Sequence, residues 1–198
     1  YDGMIIKYSA EGECEWAKAI GGSSDEYITS IAETSDGGYV AGGYFESSSI
    51  DLENGVSLTN KGTIDGMIIK YSSSGECEWA KVIGGSYSET INSVAETSDG
   101  GMIAGVYSTS KIIELGIGVI HNTNYGAING MIIKYSAEGE VEWAKGIGGN
   151  SNDEITSVAE CSDGGYVAGG YFYSSSIELG NGVSLSKKGE KDGMIIKY

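Results

Sequence analysis

Proline and arginine are both absent from the 198 residues, and histidine occurs once. The lack of proline excludes collagen-like and proline-rich linker segments, although the chain contains 33 glycines. Its 12 basic residues, all lysines, face 28 acidic residues, which gives a net charge of -16. Such a charge disfavours nucleic acid and anionic membrane surfaces as partners. No apolar run approaches the roughly 20 residues needed to span a bilayer, so we expect no membrane span.

Cysteine is also scarce. The three cysteines are Cys14, Cys77 and Cys161, and an odd number argues against a disulfide framework. Where Cys14 and Cys77 stand in two copies of a repeat, the next copy has Val141. The sequence contains no Cys/His cluster that would indicate zinc. We therefore expect small buried side chains and no cofactor, with calcium binding as the alternative that the acidic composition leaves open.

An internal repeat of about 63 residues dominates the sequence. The stretch DGMIIKYSAEGECEWAKAIGG at 2–22 returns from Asp65 and from Asn129, and DGMIIKY opens again at Asp192. Self-similarity at such a period is typical of propellers and other repeat architectures. We predict a single domain, 1–198, made of the repeats 2–64, 65–128 and 129–191 and the beginning of another at 192–198.

Each repeat predicts four β-strands and no helix. GMIIKYS is a short apolar run, ECEWAKAI alternates in polarity, and YITSIAETS is rich in β-branched residues. SDGG, which separates YITSIAETS from YVAGGYF, predicts a hairpin turn because glycine tolerates positive φ. Asp36 heads the first of these turns and is expected to cap it. The fold class is therefore all-β.

The small residues of YVAGGYF indicate that another part of the protein approaches this strand closely, because glycine otherwise weakens a strand. We predict structural roles for Gly42, Gly105 and Gly169 and place YVAGGYF innermost in a propeller blade. GMIIKYS, ECEWAKAI and YITSIAETS then follow outward. The tryptophans that recur once per repeat are expected at equivalent positions between blades: Trp16, Trp79 and Trp143.

The combined Lys-Tyr, Trp-Ala-Lys, Gly-Gly, Ser-Asp-Gly-Gly and Gly-Tyr-Phe pattern resembles the SBBP (seven-bladed beta-propeller) bacterial repeat family over essentially the whole chain. Its layout is similar to the blades of quinoprotein-type propellers, without cofactor-pocket residues to carry over. The resemblance implies a β-propeller of four-stranded antiparallel blades in a secreted or bacterial cell-surface protein. The alternative is a β-trefoil, which also has three repeats of four strands.

Three blades are too few to close a ring, since propellers have about four to eight blades. We expect the partner to be a second copy, giving a homodimer or other self-assembled ring, or further blades of the same polypeptide. Apolar side chains at the two open ends would then meet water in an isolated chain: Ile5, Ile6, Ile195 and Ile196.

An insert of roughly 18 residues follows YVAGGYF, and it varies most between the repeats. In SSSIDLENGVSLTNKGTI an Asn-Gly turn between short apolar stretches predicts a hairpin. Variation in one loop over a constant framework favours ligand binding there, although drift explains it too. Tyrosines can stack on sugars, anchor a protein partner or pack between blades. The candidate binding residues are Tyr44, Tyr107, Tyr171, Tyr173, Asn54, Asn181 and His121.

Acidic residues supply the remaining candidates. The loops GGSSDE and GGNSNDE are expected on the face that carries the inserts. They contain the candidate metal ligands, although their spacing is not that of an EF-hand: Asp25, Glu26, Asp153 and Glu154. Repeated pairs such as Glu13 and Glu15 predict cross-strand ion pairs with lysine. Glycoside cleavage would instead need one asymmetric pair in a cleft.

These features favour a non-enzymatic extracellular recognition or scaffold module that binds a glycan or a protein through the face with the inserts. The alternative is a structural propeller unit that assembles with itself and has no ligand. A hydrolase or lyase is the third hypothesis. It is disfavoured because a single histidine, His121, and symmetrically repeated acids provide no asymmetric catalytic arrangement.

Overall fold

The computed structural model describes residues 1–115 and 129–198, together with the backbone of Ile120–Asn122. These residues form strands and turns, and none of the described segments is a helix able to cross a membrane. The strands of the described chain are β1 (Gly3–Tyr8), β2 (Cys14–Ile20), β3 (Glu26–Glu33), β4 (Tyr39–Phe45), β5 (Ser49–Asp51), β6 (Ser57–Thr59), β7 (Asp65–Tyr71), β8 (Cys77–Gly84), β9 (Glu89–Glu96), β10 (Met102–Ser108), β11 (Ile112–Leu115), β12 (Ile120–Asn122), β13 (Asn129–Tyr135), β14 (Val141–Ile147), β15 (Asp153–Glu160), β16 (Tyr166–Phe172), β17 (Ser176–Gly180), β18 (Val183–Ser186) and β19 (Asp192–Lys197).

One antiparallel strand order recurs in the blades. The first blade has the order β3-β4-β7-β8 and the second the order β9-β10-β13-β14, while the third is formed by β15, β16 and β19. The hairpin β1–β2 repeats the sequence and pairing of the two outer strands β7 and β8. Because β9 contacts both β3 and β15, these three strands lie side by side and innermost. The fold is a β-propeller arrangement of four-stranded blades, as predicted, and not a β-trefoil.

The order of strands within a blade differs from the prediction. YITSIAE is innermost, YVAGGYF is second, GMIIKY is third and CEWAKAI is outermost. The SDGG hairpin joins the two inner strands, and Asp36 caps it by accepting hydrogen bonds from the Gly38 amide at 2.9 Å and the Thr34 hydroxyl at 2.6 Å. The hairpin was therefore predicted correctly, whereas the order of the strands from the inside of the blade outward was not.

The glycines of the second strand face the following blade. A Cβ added at Gly42 would lie 2.6 Å from Cγ2 of Ile91, and one added at Gly105 would lie 2.9 Å from Cγ2 of Ile155. At Gly169, in the third blade, a Cβ would meet no heavy atom within 4 Å. Small residues thus make room for face-to-face packing of consecutive blades rather than for crowding at the propeller axis.

The tryptophans of the outer strands reach the next blade. Nε1 of Trp16 donates to the Ser73 carbonyl at 3.1 Å, and Nε1 of Trp79 donates to the Ala137 carbonyl at 3.0 Å. Both rings are half-buried, and so is Trp143, whose ring lies 5.4 Å from that of Tyr166 in the third blade. Each repeat therefore uses its tryptophan at the junction between two blades.

The inserts form hairpins whose inner side chains are buried: Ile50 and Leu58 in β5–β6, Ile113 in β11, and Ile177 in β17. They pack against the outer strand of the preceding blade. Strand β11 pairs with β8, and Glu53 at the tip of the first insert hairpin forms an ion pair with Lys18 of β2 at 2.6 Å. The inserts thus join each blade to the preceding one, and they also form part of the protein surface.

The four isoleucines expected at the open ends do not share one environment. Ile5 and Ile196 are buried, with 4% and 5% exposure, whereas Ile6 is 39% and Ile195 is 80% exposed. Neighbouring residues of a strand point to opposite faces, and here one face of each end strand packs against the adjacent blade and an insert hairpin. The expectation of exposure is therefore wrong for Ile5 and Ile196.

Candidate ligand-binding cleft

Two sets of loops lie at the same end of the blades, as predicted. The loop 21–25, which enters the first blade, is tied to the insert 46–64 by the Ser24 amide, which donates to Ser47 Oγ at 2.8 Å. The Glu46 amide also donates to the Asp25 carbonyl at 2.9 Å. The described loops 21–25, 46–64, 85–88, 109–115, 148–152 and 173–191 together form what we call the insert face.

Buried carboxylates hold these entry loops in place. Glu26 accepts a hydrogen bond from the Gly22 amide at 2.9 Å, and Asp153 accepts one from the Gly149 amide at 2.7 Å. Asp153 also accepts from the Ser174 hydroxyl at 2.5 Å. A buried charge needs such donors, so these two acids have structural partners within the protein.

The other two acids considered as metal ligands are bound differently. Asp25 forms an ion pair with the amino group of Tyr1 at 2.7 Å, and Glu154 belongs to a hydrogen-bond network described below. In residues 1–115 and 129–198, no group of three or more His, Cys, Asp or Glu side chains is arranged to hold a metal ion. Calcium binding at these acids stays a prediction.

The candidate tyrosines of the second strands occupy one register position, since Tyr44, Tyr107 and Tyr171 pair with Gly66, Gly130 and Gly193. Their surroundings differ between blades. In the first blade, Tyr44 stacks on Tyr27 with ring centres 4.9 Å apart and an angle of 25° between the planes. The faces of these two rings therefore cover each other.

In the third blade the same position opens into a cleft of about 270 Å³. The cleft lies between the second and third blades, because Tyr107 comes from β10 and the other residues from the third blade. Its lining residues are Tyr107, Asn152, Asp153, Glu154, Tyr171 and Tyr173. Three of the predicted binding tyrosines and two of the predicted acids are thus brought together.

Glu154 is fixed in this cleft by donors from both blades. The Tyr171 hydroxyl donates to Glu154 Oε2, and Asn92 Nδ2 of the second blade donates to Glu154 Oε1 at 3.0 Å. Asn92 also donates to the Ile155 carbonyl at 2.8 Å. The hydrogen bond to Glu154, followed by burial, raises the pKa of Tyr171 to about 12, so its phenol stays neutral at physiological pH.

A lysine that was not predicted from the sequence lies over two of the rings that line the cleft. The ammonium of Lys191 lies 3.4 Å from the centre of the Tyr171 ring and 5.6 Å from that of Tyr173. The two rings are 6.1 Å apart and nearly perpendicular, at 86°. They form two walls around one cation, which is the geometry in which a ring face attracts positive charge.

The residues around Lys191 depart from the repeat. Relative to the first repeat, Glu154, Tyr173 and Lys191 replace Tyr27, Glu46 and Ile64 respectively. Asn92 likewise stands where the first repeat has Thr29 and the third has Thr156. The framework is repeated, but this cleft is asymmetric. A comparison of the three copies at the strand ends could have revealed these positions before the structure was known.

The remaining predicted binding residues lie elsewhere. Asn54 and Asn181 are at the tips of the insert hairpins with φ of 51° and 52°, in the left-handed region that asparagine tolerates better than most residues. His121 lies on β12, where its backbone pairs with that of Ile113, and its side chain lies outside the described residues. Ligand binding by these three residues stays a prediction.

The repeated glutamate pairs form cross-strand ion pairs, as predicted. Lys7 lies 2.7 Å from Glu15 across β1 and β2, and Lys134 lies 3.1 Å from Glu142 across β13 and β14. Lys70 and Glu78 repeat this contact at 3.2 Å in the first blade. Acids that are paired in this repeated way have a structural use.

A second concave surface runs along the open side of β19, with a volume of about 510 Å³. The exposed side chain of Ile195 lies in it, and Asn181 and Val183 of the last insert hairpin form part of its wall. Among the described residues, β19 pairs with β16 alone and β1 pairs with β2 alone. Both end strands therefore have one free edge.

Comparison with known proteins gives distant similarities. No family model matches the chain, so membership of the SBBP family stays a prediction. The chain is 26% identical, over 230 aligned positions, to the uncharacterized WD repeat-containing protein L264 of Acanthamoeba polyphaga mimivirus. The alignment covers all of this chain but spans 17% of that protein. This similarity agrees with the propeller repeat seen in the structure.

A crystal structure of a protein of unknown function from Bacteroides caccae is similar over 92% of this chain and 72% of that protein. The sequence identity is 8% and the TM-score is 0.36. A similarity at this level carries no argument about function.

Proposed function

We propose that the chain is a non-enzymatic, extracellular recognition and scaffold module of the SBBP type, on a secreted or bacterial cell-surface protein. Its ligand is a glycan or a protein, and the insert face binds it. The observation that carries the proposal is the asymmetric cleft at Tyr171, where a repeated framework departs from its own pattern. Loops and strand ends on a rigid scaffold commonly carry binding residues in this way.

The other sites support binding rather than catalysis. At least one glutamate of each repeated pair is engaged by a lysine, and the buried acids hold backbone amides of the entry loops. The aromatic residues gathered in the cleft are of the type that anchors ligands. An acidic protein with a net charge of -16 also favours a neutral or basic partner over an anionic one.

The test is a comparison of the wild type with a variant that restores the first repeat's residues in the cleft: Glu154→Tyr, Tyr173→Glu and Lys191→Ile. Each protein is screened against a glycan array and against immobilised surface proteins. These substitutions copy residues that the same framework already accepts in its first repeat, so the fold should be retained. We expect ligands of the wild type to be lost by the restored variant.

A matched control changes the opposite end of the blades. Glu138, in the turn between β13 and β14, is exposed, and the second repeat has Ser74 at the same place. Glu138→Ser removes only a surface hydrogen bond from the Ser136 hydroxyl and should leave ligand binding unchanged. Loss of binding in this control, or full binding by the restored variant, would show that the insert face is not the recognition surface.

A second candidate function is self-assembly, and the free edge of β19 favours it. Strand β19 has the sequence of β7. In the first blade, the edge of β7 that corresponds to the free edge of β19 is paired with β8. Strand β2 has nearly the sequence of β8 and pairs with β1 in the register that β7 and β8 use. Because β1 and β19 share the sequence GMIIK, β19 can take the place of β1 beside β2 of a second copy by strand exchange. The first blade of that copy would then face the third blade and cover the exposed Ile195, since its equivalent in the first blade, Ile68, is buried against the second blade. Exposed strand edges of this kind readily pair.

Mass photometry of the 198-residue chain distinguishes this candidate. Self-assembly predicts particles of at least twice the 20.7 kDa chain mass, and Ile195→Lys should return them to single chains. A wild type that remains a monomer would contradict self-assembly. The recognition proposal would be unaffected by that result.

A further inference from the structure

A cation already lies over two of the rings that line the cleft between the second and third blades. Lys191 contributes its ammonium to the space between Tyr171 and Tyr173, and among the described residues it forms no ion pair. Its side chain is exposed and belongs to a surface loop, 187–191. The interaction with the rings is therefore one that an external cation can replace without unpairing a buried charge.

The occupied ring face distinguishes between classes of ligand. A sugar would need the face of Tyr171 to be open for stacking, but the Lys191 ammonium lies over it. A cation needs the electron-rich ring face and a nearby negative charge, and both are present because Glu154 accepts the Tyr171 hydroxyl proton in a hydrogen bond. The neighbouring acid Asp153 adds negative potential, although it is already bound to Ser174.

The position is specific to the third repeat. In the first blade, Tyr27 takes the place of Glu154 and stacks on Tyr44, which removes the carboxylate and covers a face of the Tyr44 ring. In the second blade, Thr90 stands at this position and Thr109 at that of Tyr173. The combination of two crossed rings and a carboxylate is therefore not a by-product of the repeated framework.

We propose that this cleft is a binding site for an alkylammonium group, in which Lys191 occupies the position of the ligand's cation when the site is free. The inference rests on the proposed recognition by this cleft, and it favours a cationic ligand over a glycan. The group is carried either by a lysine or methylated lysine side chain of a protein partner or by a small quaternary ammonium compound. Both sources present a positively charged ammonium group attached to alkyl carbons to the two rings.

The test uses choline chloride and its uncharged isostere, 3,3-dimethyl-1-butanol, titrated into the protein while the ring signals of Tyr171 and Tyr173 are followed by NMR at constant ionic strength. We expect saturable shifts with choline and none with the isostere. Lys191→Ala removes the internal competitor and should tighten choline binding by at least fivefold. Lys188→Ala, a change of equal charge in the same loop, should leave the affinity unchanged.

Two peptides distinguish the source of the cation: acetyl-Gly-Lys-Gly-amide and its trimethyl-lysine form. Tighter binding of either peptide than of choline assigns the site to a protein partner, and the reverse order assigns it to a small quaternary ammonium compound. Absence of shifts with all three cations in both the wild type and Lys191→Ala would overturn the inference, as would equal binding of the isostere. A glycan or protein that still depends on the cleft would then leave the recognition proposal standing.

Discussion

The ammonium of Lys134 in β13 lies 3.0 Å from Oδ2 of Asp99, in the turn between β9 and β10. The lysine is 1% exposed, and it also donates to Glu142 and to the Tyr135 carbonyl. Burial alone would lower the pKa of Lys134, but the hydrogen bonds to Asp99 and Glu142 raise it above its ordinary value. One lysine thus connects the inner hairpin turn of a blade to the blade's outer strands.

Lys134→Met should lower the free energy of unfolding by about 1–3 kcal/mol, because it removes charge-assisted hydrogen bonds while largely keeping the side-chain volume. Urea denaturation measures the change. Lys197, in the third blade, pairs with Asp163 in the same way, but both side chains are more than half exposed. Lys197→Met should leave the urea midpoint unchanged, and equal losses in the two variants would contradict a role for burial.

Gly42→Ala tests the packing of one blade on the next. The added Cβ would lie 2.6 Å from Ile91 and 2.7 Å from Val94, both buried, so we expect a loss of about 1–3 kcal/mol in the free energy of unfolding. Gly169→Ala is the matched control in the same AGG sequence, where the Cβ meets open space. On monomeric protein this control should change stability by about 0.5 kcal/mol or less. If Gly42→Ala were equally mild, the blades would not pack as described.

A third prediction concerns Asp65, which is buried and whose Oδ1 has no hydrogen-bond partner among the described residues. Burial raises its pKa from 3.8 to about 6, although the Lys61 amide, at 2.5 Å, acts in the opposite direction. Between about pH 4 and pH 6, the folded state binds more protons at this group than the unfolded state does. The contribution of Asp65 to stability therefore falls as the pH rises through that window.

Asp65→Asn should raise the free energy of unfolding by about 1–3 kcal/mol at pH 7, because the amide remains neutral. The third repeat already has Asn129 at this position. At pH 4 the advantage should shrink, since the aspartate is then protonated in the folded protein. Denaturation at the two pH values checks this, and Asp2→Asn, at the equivalent exposed position, should have no effect. A destabilising Asp65→Asn at pH 7 would show that the carboxylate is needed in its charged form.

Much of the fold followed from the repeat. The strands, the SDGG hairpins and the shared position of the two loop sets could be predicted because each depends on local sequence. The order of strands within the blade could not be predicted. The glycines of YVAGGYF indicate that another part of the protein approaches closely, but not whether the strand lies at the propeller axis or packs against the next blade. The contact of Gly42 with Ile91 shows that it is the next blade.

The cleft was only partly predictable for a similar reason. Tyr107, Tyr171 and Tyr173 were identified from their place near the glycine-rich strand. Lys191 was missed because it belongs to a variable loop, 20 residues from Tyr171, and only the three-dimensional structure brings its ammonium over the ring. Asn92 comes from another blade. Its link to Glu154 depends on how the two blades pack, which local sequence does not reveal.

The central claim is that a repeated scaffold binds its ligand where the repeat is broken, in the cleft of the third blade. The most direct measurement is a backbone amide NMR titration of the isotope-labelled wild type with a ligand recovered from the arrays. We predict that the largest shifts fall on 152–154, 171–173 and 191. Largest shifts in the turns 34–38, 97–101 and 161–165 at the opposite end of the blades would contradict the claim.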